Sequence, residues 1–92
     1  IENIDNYHSY YVYVVRHPQR KKIMDYLRKN NIFCNISYTL PINSMKGYRY
    51  LNIRNNDLKI TNKLSKEIFS LPMYPELSTI KLEKIINVLN KF

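Results

Sequence analysis

Two histidines and one cysteine are the side chains of this sequence best suited to chemistry near neutral pH. His8 precedes a run of Tyr and Val residues, and His17 stands before a proline. Their spacing, together with the single Cys34, does not match a metal-ligand set. No Ser-His-Asp or Cys-His arrangement is indicated, and Cys34 falls on the apolar side of an alternating segment, which favours an inert thiol. Composition and spacing alone therefore predict no catalytic residue and no metal site.

Positive charge is the second feature with chemical meaning, because the net charge is +8, from 15 basic and 7 acidic residues. Such a balance can bind phosphates or nucleic acid, and nine tyrosines could stack on bases. Solvated helix faces and A/T-rich codons, which favour Lys, Asn, Ile and Tyr, explain the same composition without a ligand. The basic residues concentrate near one predicted helix: Arg16, Arg20, Lys21, Lys22, Arg28 and Lys29.

The composition excludes several classes of protein. Gly47 is the only glycine, so the chain cannot build a P-loop or a dinucleotide-binding loop, which need several. No apolar run approaches the ~20 residues that span a bilayer, and no signal-peptide pattern opens the sequence. A lone cysteine fits a reducing compartment, so we expect a cytoplasmic protein. The first residue is not methionine, which we interpret as a piece of a longer chain.

The first part of the chain predicts a strand, a helix and a second strand. Residues 10–15 are aromatic and β-branched throughout, so we expect a strand that is covered on both faces at the centre of a sheet. Pro18 suits the first turn of a helix over residues 18–29, and the Asn-Asn pair that follows suits a left-handed exit. Residues 32–38 alternate in a period of two, which predicts a strand with one apolar face.

The second part predicts two helices around a short extended piece. Residues 39–56 form a long connection with a short helical turn around residues 45–51. Asp57 is a good N-cap for a helix. The apolar face of that helix comprises Ile60, Leu64, Ile68 and Leu71. An extended piece is expected at residues 69–73, bounded by prolines, and Ser78 then caps a last helix.

This order of elements predicts an α+β fold with a small sheet of about three strands and helices packed mainly on one face. The length of 92 residues is enough for one small domain with one core. The first strand, helix and second strand would form a right-handed crossover if the strands are parallel. The pattern alone leaves the strand order open.

Four segments, in order, resemble the carboxy-terminal end of the DegT/StrS-type family of nucleotide-sugar aminotransferases. Residues 8–16 are similar to the family's His-bearing entry to a Tyr/Val strand. A spaced Arg…Leu…Ile pattern across the helix and turn is matched by Arg20, Leu27 and Ile32. Residues 36–43 are similar to a strand-end motif that usually reads His-Tyr-Pro…Pro…His. Residues 70–78 match the family's Leu-Pro-x-x-Pro-x-Leu entry to its terminal helix.

The resemblance implies a fold-type-I aminotransferase small domain, in which residues 1–92 form one C-terminal domain and the large domain that binds pyridoxal phosphate (PLP) is absent. The parent enzyme would transfer an amino group from glutamate to a nucleotide-linked keto-sugar, for surface-polysaccharide or amino-sugar biosynthesis, with PLP as cofactor. It would be a homodimer with no membrane attachment and no nucleic-acid partner. The cofactor lysine would lie outside these residues, so the 92 residues alone are expected to bind no PLP and to catalyse nothing.

By motif position, the resemblance implies substrate contacts by Ser37, Tyr38 and Asn43, with His8 nearby. Ser37 and Asn43 stand where the family usually has histidine. They can form hydrogen bonds, but they cannot act as acid or base near neutral pH. This departure implies a different sugar, altered contacts or a member without activity, whereas Tyr38 keeps its hydroxyl.

Two other functions remain open on the residues alone. A small basic module that binds nucleic acid would show binding that weakens steeply with salt. A protein-interaction domain would instead use the apolar residues of the first strand and of the 39–56 connection as its interface.

Overall fold

The computed structural model describes residues 4–54 and 57–92. In these residues the chain forms two strands and three helices. The order is β1 (Tyr13–Arg16), α1 (Arg20–Lys29), α2 (Lys59–Glu67), β2 (Ile68–Leu71) and α3 (Thr79–Leu89). Two short 3-10 helices, Ile42–Ser44 and Lys46–Leu51, lie in the connection between α1 and α2. The expectation of mixed helix and strand structure is therefore confirmed.

The sheet has two antiparallel strands, with Tyr13 opposite Leu71 and Arg16 opposite Ile68. The segment predicted as another strand, residues 32–38, joins the sheet at a single bridge, in which Asn35 and Ser70 exchange backbone hydrogen bonds of 3.1 and 2.7 Å. β2 thus has neighbours on both sides and β1 lies at the edge. Three full strands are not confirmed, and the prediction that the first strand is central is wrong for the described residues.

Burial on β2 also differs from the expected packing of helices on one face. Neighbouring residues of a strand point to opposite faces of its sheet. Phe69 and Ser70 are both buried, with exposed fractions of 2% and 7%. Both faces of β2 are therefore covered at this point, and packing on one face is not confirmed.

The core is small and joins α1, β2 and α3. Its buried apolar residues are Ile23, Leu27, Ile32, Phe69 and Ile85. Ile23 and Leu27 lie one turn apart on α1, so both side chains leave the helix on the same face. Leu27 is completely buried, which makes it the centre of this cluster.

The sequence predicts the backbone or capping role of three residues next to helix ends, and the structure confirms two of these predictions. Asn31, the second residue after α1, has the left-handed φ of 59° that the Asn-Asn pair predicts. Ser78 caps α3, since its hydroxyl accepts a hydrogen bond from the Lys81 N–H at 3.5 Å. Asp57 does not cap α2, because its carboxylate accepts the Arg54 N–H at 3.1 Å and Leu58 occupies the cap position.

The second helix ends earlier than its apolar pattern predicts. Ile60, Leu64, Ile68 and Leu71 fit one helical face, yet α2 stops at Glu67 and the last two belong to β2. Two contacts hold Glu67 against the end of β1. Its carbonyl accepts the His17 N–H at 3.0 Å, and its carboxylate accepts a 2.6 Å hydrogen bond from Arg16.

The surface is large for a chain of this length. A folded monomer of this size is expected to expose roughly 5,700 Å², whereas this chain exposes 8064 Å². Many exposed apolar and aromatic side chains lie on two segments. Before and in β1 the exposed residues are Ile4, Tyr7, Tyr10, Tyr11, Tyr13 and Val14, and between β1 and α2 they include Tyr38, Leu40, Ile42, Tyr48, Tyr50, Leu51 and Ile53.

None of the helices in residues 4–54 and 57–92 has the length and apolar character required to cross a bilayer. The same residues contain no group of three or more His, Cys, Asp or Glu side chains arranged to hold a metal ion.

Candidate substrate-binding segment

Ser37 and Tyr38 follow the Asn35–Ser70 bridge and lie exposed at the start of the long connection. Tyr38 keeps 79% of its surface accessible, so its hydroxyl can reach a ligand or another part of the protein. The bridge fixes the backbone two residues earlier, which sets where these two side chains leave the sheet.

Asn43 lies in the 3-10 turn Ile42–Ser44 and is half-buried. Its side-chain Nδ2 donates to Oδ1 of Asn62 on α2 at 3.0 Å. The turn is closed by the Ser44 N–H, which donates to the Pro41 carbonyl at 2.9 Å. Asn43 therefore ties this part of the connection to α2.

His8 orders a tight turn just before β1. Its Nδ1 accepts the Tyr10 N–H at 2.8 Å, and the two rings are 4.8 Å apart. Tyr10 has a left-handed φ of 52°, a conformation that bulky residues rarely adopt. With Nδ1 as acceptor, the neutral His8 ring carries its proton on Nε2.

The four residues implied by the resemblance therefore fall into two groups. Ser37, Tyr38 and Asn43 share one segment that crosses from the sheet to α2. The described contacts of His8 are with Tyr10 in its own turn.

Arg20, which the sequence placed in a basic group and in the Arg…Leu…Ile pattern but not among the substrate contacts, lies close to the candidate segment. This half-buried residue at the start of α1 donates from Nη1 to the carbonyls of Ser65 and Ile68, at 2.6 and 3.1 Å. It also lines a cleft of about 330 Å³ beside the candidate segment. The other lining residues are Thr39, Leu40, Pro41, Ser44, Asn62, Ser65 and Lys66. Arg20 was visible in the sequence as one of a basic group, but its partners lie more than forty positions away.

Two ion pairs reduce the positive charge near α1. Arg16 pairs with Glu67 at 2.6 Å, and Lys21 pairs with Asp25 at 2.9 Å. The hydrogen bond from Lys21, and then the positive charge of that residue, lower the pKa of the Asp25 carboxyl. The basic group predicted from the sequence is therefore partly neutralised by its own neighbours.

Cys34 lies beside a second cleft, together with Met24, Ile32 and Ile36. Burial raises the pKa of its thiol, which lowers the fraction of reactive thiolate near neutral pH. This agrees with an inert structural thiol.

The lysines do not fit a PLP site. A Schiff-base lysine is usually desolvated in a pocket, and all ten lysines of this chain are exposed.

Comparison with known proteins assigns the chain to a family. The profile of the DegT/DnrJ/EryC1/StrS aminotransferase family matches residues 2–90. The chain is 42% identical over 87 residues to a dTDP-3-amino-3,4,6-trideoxy-alpha-D-glucose transaminase from Micromonospora megalomicea subsp. nigra. It is 27% identical over 88 residues to a dTDP-3-amino-3,6-dideoxy-alpha-D-galactopyranose transaminase from Aneurinibacillus thermoaerophilus. These matches cover 94% and 96% of the chain, but only 23% and 24% of the relatives.

A solved structure agrees with the sequence relatives. A DegT DnrJ EryC1 StrS aminotransferase from Brucella abortus superposes with a TM-score of 0.79 at 28% identity. The match covers 88% of this chain and 22% of that one. Sequence and structure therefore lead to the same assignment: the chain belongs to the DegT/DnrJ/EryC1/StrS aminotransferase family.

Proposed function

We propose that these 92 residues are the C-terminal small domain of an aminotransferase that moves an amino group from glutamate to a nucleotide-linked keto-sugar. The observation that carries this proposal is the 42% identity, over 94% of the chain, to a protein named as a dTDP-amino-sugar transaminase. The product would serve the synthesis of amino sugars or surface polysaccharides. The parent enzyme would be a cytoplasmic homodimer.

The accessible surface supports the proposal of a partner domain. The chain exposes 8064 Å², roughly 2,400 Å² more than a compact monomer of this size. The exposed apolar residues of β1, and Tyr48, Tyr50, Leu51 and Ile53 in the later part of the connection, would pack against a large domain that holds PLP. Since the matches cover only 22–24% of their relatives, such a domain would make up most of the protein.

The cofactor would lie on that large domain. Bound PLP supplies an electron sink for amino transfer. The exposure of all ten lysines supports a cofactor lysine outside these residues, and we expect the 92 residues alone to be inactive.

The part of these residues in catalysis would be to bind and orient the sugar nucleotide. The Tyr38 hydroxyl can donate and accept hydrogen bonds, as can the Ser37 hydroxyl. The Asn43 amide, tied to Asn62, would position the segment that carries them. His8 would approach the same ligand through Nε2, the nitrogen that is not engaged by Tyr10.

Substitution of Tyr38 by Phe in the full-length parent tests the site assignment. We expect a higher KM for the sugar nucleotide with an unchanged KM for glutamate, because only the sugar-nucleotide contact loses a hydroxyl. Tyr74→Phe, on the chain after β2, is the matched control. Unchanged kinetics for Tyr38→Phe would reject this residue assignment.

A second experiment tests the reaction itself. Full-length protein with PLP should convert more than one equivalent of glutamate per cofactor to 2-oxoglutarate only when a dTDP-linked keto-sugar is present, because the sugar must take up the amino group before PLP can react again. Loss of more than one equivalent of glutamate without such a sugar, or no turnover with any sugar nucleotide, would argue against the proposed activity.

A further inference from the structure

The cleft beside Arg20, called here the Arg20 cleft, has positive charge without a lining carboxylate. It is formed by Arg20, Thr39, Leu40, Pro41, Ser44, Asn62, Ser65 and Lys66, and encloses about 330 Å³. Two of these residues are cationic, and none of the described lining residues is acidic. The volume falls at the lower end of the range for small-molecule sites.

The guanidinium of Arg20 is held in place from one side only. Its Nη1 donates to the carbonyls of Ser65 and Ile68. Nε and Nη2 make no hydrogen bond with other residues of the described ranges, and no described buried side-chain nitrogen lacks a partner. These donors are therefore in contact with solvent. A fixed guanidinium with solvated donors is prepared to bind an anion without losing much side-chain freedom.

The second charge and the hydroxyls come from separate elements. Lys66 projects from the last turn of α2, and Thr39 and Ser44 come from the connection that Asn43 ties to the same helix. The Ser65 hydroxyl donates to the Asn62 carbonyl at 3.0 Å, so Thr39 and Ser44 are the hydroxyl donors toward the cleft. Several donors around two cations match the many acceptor oxygens of a phosphate group.

The positive surface continues beyond the cleft. An adjoining cleft of about 450 Å³ shares Asn62 and Lys66 and adds Lys59 and Lys63. Its one carboxylate, Glu67, is already paired with Arg16 at 2.6 Å. An anion near Lys66 would therefore meet further positive charge rather than competing acids.

We propose that the Arg20 cleft binds the phosphate groups of a small phosphorylated molecule, with Arg20 and Lys66 as charged contacts and Thr39 and Ser44 as hydroxyl donors. The cleft adjoins the proposed sugar-nucleotide contacts, since Thr39 follows Tyr38 and Ser44 follows Asn43 in the chain. Its lining residues do not include Tyr38, Asn43, Ser37 or His8. It requires no amino transfer, so its test is separate from that of the proposed function.

Calorimetric titration of the full-length protein, saturated with PLP so that any cofactor-phosphate site is filled, tests this proposal with inorganic diphosphate as the probe. Lys66→Ala should weaken diphosphate binding by roughly tenfold, the factor for one lost hydrogen bond to a charged group. Lys22→Ala is the matched control, since Lys22 is exposed on α1 and lines neither cleft. It removes the same charge and should leave the affinity nearly unchanged.

A second variant tests the two hydroxyl donors without changing the charge of the protein. The pair Thr39→Val and Ser44→Ala should also weaken diphosphate binding while the melting temperature stays close to that of the wild type. The proposal is overturned if diphosphate does not bind, or if Lys66→Ala and Lys22→Ala behave alike. It is also overturned if glutarate, a dicarboxylate, or a short DNA duplex binds more tightly than diphosphate with the same dependence on Lys66.

Discussion

Asn43 and Asn62 join their side-chain amides across nineteen positions of sequence, with 3.0 Å between Nδ2 and Oδ1. The bond links a short 3-10 turn in the connection to the middle of α2. Both residues are half-buried, so water competes only partly for the two amides. The position of the segment that carries Tyr38 therefore depends on a contact that local sequence does not reveal.

Breaking this contact should loosen the connection. Asn43→Ala should lower the free energy of unfolding by about 1 kcal/mol, the typical net value of a hydrogen bond. A double-mutant cycle with Asn62→Ala should show coupling, because each single change removes the same bond. Denaturant unfolding measures the free energy of unfolding of the four full-length proteins, which are the wild type, the two single variants and the double variant. Strictly additive losses of stability would contradict a direct bond.

Truncation of Leu27 should cost far more than truncation of an exposed residue. Leu27 is completely buried in the core, so Leu27→Ala should destabilise the fold by roughly 2–5 kcal/mol. Ile80, 80% exposed on α3, is the control, and Ile80→Ala should change stability by less than about 0.5 kcal/mol. Similar losses for both variants, measured by denaturant unfolding, would show that the core is placed wrongly.

The cap of α3 should respond to the type of side chain at position 78. Ser78→Ala removes the acceptor for the Lys81 N–H and should cost roughly 0.5–1 kcal/mol, at the low end for caps because the bond is long at 3.5 Å. Ser78→Asp should restore most of the loss, since Asp is also a favourable cap. Thermal unfolding of the three proteins gives the comparison, and an equally destabilised Asp variant would speak against capping.

The reactivity of Cys34 should depend on pH in a direction set by burial. Burial raises the pKa of this thiol, so the folded protein favours the neutral form and should react slowly with iodoacetamide near neutral pH. Folded and urea-unfolded protein are compared by mass spectrometry of the Cys34 peptide. Equal rates in both states would contradict the raised pKa of the folded thiol.

The same shift makes stability depend on pH. The unfolded thiol ionises at a lower pH than the folded one, so the stability that the buried neutral thiol contributes is present at lower pH and is lost above roughly pH 8.5.

Sequence predicts best where one local interaction decides the structure. Asn31 adopts a left-handed backbone because an asparagine tolerates it after a helix. Ser78 begins α3 because its hydroxyl satisfies an N–H of the first turn. The 3-10 helix Lys46–Leu51 likewise falls where a helical turn was expected.

The sequence predicts the structure less well where pairing between distant segments of the chain decides it. Ile68 and Leu71 continue the apolar period of α2, yet they become part of β2 because β1 supplies backbone partners for them. The position of β1 could not be predicted for a related reason. Its Tyr and Val residues predict burial on both faces, but Tyr13 and Val14 stay about half exposed because nothing in the described residues covers them.

Contacts between distant parts of the chain also shape the candidate site. Motif order led to Ser37, Tyr38, Asn43 and His8, whose binding roles stay predictions. The contact of Asn43 with α2 and the bonds of Arg20 to Ser65 and Ile68 join parts of the chain that no local pattern connects.

The edge position of β1 has a practical consequence for work with these residues by themselves. One side of the strand pairs with β2, and no other described strand lies on its second side, where Tyr13 and Val14 are accessible. An uncovered edge with apolar side chains is a template for strands of other molecules. Expression of the 92 residues without a covering domain should therefore favour soluble oligomers or inclusion bodies, and a Lys in place of Val14 should reduce them.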